Sequence, residues 1–206
     1  MEALLAGPAS VAPEALPALI DAGVSLRYVR VHGLSPLLYC CACYDEELAI
    51  RMLREGVGVD LDAPDQSGFT PLHYAADAGL HDLARALLAA GCGTAARNDD
   101  IVVPFGPPVP GGKAPLHLAA CRGDEAMLAL LLEGGAGPGE LDVDGNTAWA
   151  LANIHVRPAA VGLLAGAVAL AGEPEQPEIT AEDGDAKKIA DQRAATRRLE
   201  ELVISF

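Results

Sequence analysis

The chain has 206 residues, with 29 Asp and Glu against 14 Lys and Arg, for a net charge of −15 at pH 7. It is 51% apolar but only 4% aromatic, so its core must come from small aliphatic side chains, which suits thin stacked helices better than a sheet sandwich. No basic stripe is present to displace counterions, which argues against nucleic acid as a partner, and the longest uncharged run, Pro158 to Gly172, is 15 residues, short of the ~20 that span a bilayer.

In chain order, Leu19-Ile20-Asp21-Ala22-Gly23 reads as the end of a first helix, and Ser35-Pro36-Leu37 as the start of another. Asp65 to Gly68 carries turn chemistry for a hairpin-like loop, as Asp142 to Gly145 does later. Phe69-Thr-Pro-Leu-His-Tyr-Ala-Ala-Asp-Ala-Gly79 follows, and Lys113-Ala-Pro-Leu-His-Leu-Ala-Ala-Cys-Arg-Gly123 is a second copy of it. Pro71 and Pro115 sit in the first turn of a helix, where a missing N–H costs nothing, and Thr70 is placed to cap it. The Ala75-Ala76 and Ala119-Ala120 pairs keep that helix thin, and Gly79 and Gly123 allow the chain to reverse. In the second helix Leu83, Leu87 and Leu88 recur at helical spacing, as do Met127, Leu128, Leu131 and Leu132, before Gly91 and Gly135 end it. Thr147-Ala148-Trp149 opens the last copy.

The starts at Pro36, Pro71, Pro115 and Ala148 are 35, 44 and 33 residues apart. A unit of 33 residues accounts for them if two residues are added before Asp62 and eleven within Ile101 to Lys113. Self-similarity at such a period marks a stacked solenoid. The motif resembles the ankyrin repeat, with its Thr-Pro-Leu-His-x-Ala-Ala start, Leu-Leu pair and closing Gly-Ala. The resemblance implies an all-α ankyrin solenoid over residues 1–171, with repeats near 1–29, 30–64, 65–97, 98–141 and 142–171, the first of them truncated.

The resemblance further implies a non-catalytic module that binds a protein partner on the concave side, through projecting loops and the exposed ends of the first helices. Carried over residue by residue, that side is Gln66, Ser67, Phe69, Asp77 and Ala78 in the best repeat. Val31, His32, Leu34, Ala42 and Cys43 match it in the repeat before, and Lys113, Cys121 and Arg122 in the repeat after. Phe69 has two readings, a binding anchor or a ring packed on Tyr74. The proline-rich insertion 101–113 presents Val102, Val103, Phe105 and Val109 either back over this side or to a partner. His73 and His117 are structural in such repeats, bonded within the loop and helix start.

The five cysteines are Cys40, Cys41, Cys43, Cys92 and Cys121, an odd number in which no two Cys-x-x-Cys sets pair up. Cys40 and Cys41 replace the Ala-Ala pair, and adjacent helical cysteines diverge by about 100°, a poor start for a metal site. No phosphate loop, nucleophile elbow or clustered acid–base set occurs, so neither catalysis nor a cofactor is expected.

After residue 171 comes an acidic linker, 172–185, with six carboxylates and no cation, then a helix-favouring segment, 186–206. Ile189, Leu199, Leu202, Val203 and Phe206 share one side of it. This C-terminal helix packs on the uncharged last helix of the solenoid or forms a coiled coil with another chain. The functional expectation is an adaptor, scaffold or inhibitor, a monomer in the cytoplasm or nucleus, whose partner could carry a basic surface. The alternative is a structural subunit held through the 101–113 insertion and the C-terminal helix.

Overall fold

A computed structural model describes residues 9–99 and 111–171. Most of the 101–113 insertion, with Val103 and Phe105, the linker and the C-terminal helix therefore lie outside the described residues. Nine α-helices are present among the described residues: α1 (Leu16–Asp21), α2 (Pro36–Ala42), α3 (Glu46–Glu55), α4 (Pro71–Ala78), α5 (His81–Ala89), α6 (Pro115–Arg122), α7 (Glu125–Glu133), α8 (Ala148–Ile154) and α9 (Pro158–Ala171). Helices α2, α4, α6 and α8 pack in series as one layer. Helices α3, α5, α7 and α9 form the second layer, each against its own first-layer partner. Helix α1 contacts α3, so the opening unit contributes a second-layer helix. The architecture is the all-α repeat solenoid, with one small addition: a two-residue parallel pairing of β1 (Ala9–Ser10) with β2 (Val29–Arg30).

The sequence explains why each helix starts where it does. Ser35, Asp45, Asp124 and Thr147 each accept a bond from the backbone N–H three residues on, satisfying a donor that the first turn leaves open. Pro36, Pro71 and Pro115 then occupy the first helical position. The small pairs Ala75-Ala76 and Ala119-Ala120 are fully buried, and Cys40 and Cys41 replace them as buried side chains in α2. That thinness lets the first layer stack closely. The stripe on the second layer is equally dry, with Leu83, Leu87, Met127, Leu128 and Leu131 all at 0% exposure. Each such side chain contributes about 1.5–3 kcal/mol by leaving water.

The turn between the two helices of a unit repeats a left-handed residue. Gly79 and Gly123 take it at φ +73° and +76°, but Tyr44 and Val156 take it at +59° and +56°. A side chain there costs about 1–2 kcal/mol relative to ordinary helix geometry.

Candidate protein-binding face

The loops that join one unit to the next are built on a repeated carboxylate. Asp65 Oδ1 accepts from the N–H groups of Ser67 and Phe69 at 2.8 and 2.9 Å, and its Oδ2 accepts from the Tyr74 hydroxyl at 2.8 Å. Asp142 does the same for Asp144 and Asn146 at 3.0 and 2.8 Å. Between them Asn98 takes the role with its amide oxygen, accepting from Lys113 N–H at 2.8 Å, while its own carbonyl accepts from Gly112. Asn98 thereby clamps the base of the long insertion. The Tyr74 phenol stays above its ordinary value, through burial first and then the Asp65 carboxylate, with Tyr44 near enough to add to it.

Of the expected loop residues, Gln66 is exposed, and Ser67 and Phe69 are half-buried. The Phe69 ring packs on His73 and Tyr74, with centroids 5.6 and 5.7 Å apart. Val31 differs from expectation, since it is completely buried. In its unit the tip has two residues, His32 and Gly33, both at positive φ, bracketed by mutual Val31–Leu34 backbone bonds of 3.0 Å. Such a two-residue hairpin tip carries His32 outward and turns Val31 under it. The three-residue tips after Asp65 and Asp142 are longer, so residue-by-residue transfer misplaces Val31.

At the far end of the first layer, Cys43, Asp77 and Arg122 are exposed, and Ala42, Ala78 and Cys121 are half-buried. Packing of α2 on α4 on α6 sets Cys43, Ala78 and Arg122 in one row. Phe69 and Asp77 are separated by the length of α4, about 12 Å at the helical rise. The expected residues therefore form two groups on one elongated strip, hairpin tips at one end and helix ends at the other. Sequence reasoning missed Tyr44, which is 60% exposed beside Cys43. Its signal was present, because Tyr44 stands where Gly79 and Gly123 stand in later units.

His73 and His117 are tied up within the stack. His73 Nδ1 accepts from the Thr70 N–H at 3.1 Å, and its Nε2 lies 2.9 Å from the Lys113 carbonyl. A carbonyl only accepts, so Nε2 carries the proton and the ring is neutral. His117 repeats the arrangement with Ala114 N–H at 3.1 Å and the Glu140 carbonyl at 3.0 Å. Burial holds both imidazoles below their ordinary value. Burial also pushes the Cys40 thiol up to about 12 and those of Cys92 and Cys121 to about 11, and raises Cys41 further. Among the described residues no group of three or more His, Cys, Asp or Glu side chains is placed to hold a metal ion.

Polar bonds also link successive units. Glu46 Oε1 accepts from Leu83 N–H at 2.9 Å, and His81 Nε2 sits 2.9 Å from both Asp124 oxygens. Arg157 Nε donates to the Cys121 carbonyl at 3.2 Å. Burial alone would raise the Asp124 carboxyl, but the bonds from His81 and Met127 N–H outweigh it and hold it below its ordinary value.

A model of ankyrin repeats in three copies matches residues 5–99, and a model of the single ankyrin repeat matches residues 111–143. The chain belongs to the ankyrin repeat family. No curated protein matches it. Ankyrin repeats are generally protein–protein interaction modules and are typically non-catalytic. Among the described residues no helix is long and apolar enough to cross a membrane.

Proposed function

We propose that this ankyrin repeat protein is a non-catalytic adaptor, scaffold or inhibitor that takes a protein segment along the strip from its hairpin tips to its first-helix ends. The observation that carries the reading is the division of labour along α2, α4 and α6. Their bodies are buried in the stack, while Cys43, Tyr44, Asp77 and Arg122 at their ends and Gln66 at the tip remain exposed. His73, His117 and the buried thiols hold the stack, the two histidines as neutral rings and Cys40 and Cys41 as protonated thiols. Exposed Asp45, Asp77, Asp99 and Asp144 favour a partner with a basic surface, and Arg122 and Arg157 give the strip a cationic end. Five free cysteines fit a reducing compartment such as the cytoplasm or nucleus.

The test is capture of partners from a cell extract by the wild type and by a Phe69→Ala, Asp77→Ala, Arg122→Ala variant, both first shown to be folded by circular dichroism. A variant with Arg54→Ala and Arg85→Ala on the second layer is the control. Loss of a protein by the first variant and its retention by the control supports the strip. Equal retention by all three moves the contact to the insertion or the C-terminal segment and rejects it.

A further inference from the structure

Helix α9 ends the described stack. Ala160, Leu164 and Val168 are its buried side, turned to α7 and α8. On its other side Ala159, Gly162, Ala165, Gly166, Ala169 and Leu170 are exposed, Leu170 at 91%. No charged side chain occurs from Pro158 to Gly172. A solenoid needs a terminal unit with a polar outer face, and this one has none.

We propose that residues 186–206 of the same chain lie on that outward face as a helix and cap the stack intramolecularly. Several observations select this occupant. Ile189, Leu199, Leu202, Val203 and Phe206 recur at helical spacing and supply bulky apolar groups. Among the described residues a Cβ built at Gly162 or Gly166 meets nothing within 4 Å, so with glycine and alanine on its outward side α9 offers a shallow surface onto which large side chains can close. The connecting residues 172–185 reach about 45 Å when extended, about twice the length of α9 at the helical rise, enough for the chain to turn back. Charge agrees as well. Residues 186–206 carry five basic and three acidic side chains, whereas residues 1–171 carry nine basic and twenty acidic. A second copy brought to the same face would set two chains of net charge −15 against each other, which self-repulsion opposes.

The experiment uses the full chain, with thermal unfolding and light scattering over a fiftyfold range of concentration. The first variant is Gly166→Glu. On an uncovered helix face, Glu in place of Gly favours the helix and raises Tm; beneath a cap it places a carboxylate in an apolar contact and lowers Tm. The second variant combines Leu199→Glu, Val203→Glu and Phe206→Glu. The cap predicts a wild-type monomer throughout, a Tm lower by about 5 °C in each variant, and a Gly166→Glu effect that turns favourable in the tail-variant background. A rise in Tm on Gly166→Glu in the wild-type chain overturns the proposal, as does a tail variant with unchanged Tm. A wild-type dimer that the tail variant dissociates also overturns it, by making the occupant a second copy.

Discussion

Replacing His117 by Leu preserves side-chain bulk while deleting two hydrogen bonds, from the Ala114 N–H into Nδ1 at 3.1 Å and from Nε2 to the Glu140 carbonyl at 3.0 Å. Ala114 is 1% exposed, so its N–H has no water to turn to. An orphaned buried group costs about 1–3 kcal/mol, and the pair puts the loss near 2–4 kcal/mol at pH 7.5. The pH dependence makes the reasoning sharper. Burial holds both motif histidines below the ordinary 6.5, so below pH 6.5 the unfolded chain binds protons that the native chain does not. Stability is therefore full above pH 6.5 and falls as the pH drops toward the depressed native values, by up to about 1.4 kcal/mol per pH unit for each histidine. His117→Leu removes one of these two contributions. Urea unfolding followed by far-ultraviolet circular dichroism at pH 7.5, 6.5 and 5.0 should show the deficit of the variant shrinking at the lowest pH. A deficit that stays constant or grows on acidification would refute the neutral, buried assignment.

Three further outcomes follow from named contacts. Val156→Gly should stabilise the chain by about 0.5–1 kcal/mol, since relief of the left-handed strain exceeds the entropy that glycine loses on folding; a lower urea midpoint would show that Val156 packs more than its 69% exposure indicates. Gly112→Ala should destabilise by about 2–3 kcal/mol, because a Cβ there would stand 2.9 Å from the Val143 backbone nitrogen and against its Cγ1 at φ +65°, and an unchanged Tm would contradict that approach. Native protein should react rapidly with one equivalent of a thiol reagent, at exposed Cys43, while the other four wait for unfolding; peptide mapping that finds Cys121 or Cys92 labelled equally fast would be inconsistent with thiols held at about 11.

Wherever the unit repeats itself, its mechanical parts were legible before any coordinates. The helix starts at Ser35-Pro36 and Thr147-Ala148, the prolines at Pro71 and Pro115, the small buried pairs and the leucine stripes all follow from local rules applied at a fixed period. The roles of His73 and His117 were legible only through the family resemblance, because their partners Lys113 and Glu140 lie 40 and 23 residues away. The β1–β2 pairing was not legible, since two residues per strand leave no alternation to read. Val31 was misplaced because a two-residue tip and a three-residue tip differ in reach even when aligned. Tyr44 was missed although it stands in a glycine's place, and of the Phe69 ring contacts the one on Tyr74 was among the two readings while the one on His73 was not. The bonds from the Leu83 N–H to Glu46 and between His81 and Asp124 join different units and carry no signal within either one.

The central claim, that a protein segment lies along the strip, is tested most directly by site-specific photo-cross-linking in cell extract. A photoreactive amino acid is placed at Gln66 and at Arg122, the two ends of the strip, and at Arg54 and Arg85 on the second layer. The account predicts the same protein cross-linked from both Gln66 and Arg122, and no adduct from Arg54 or Arg85. Adducts confined to the second-layer positions, or no common protein between the two ends of the strip, would contradict it.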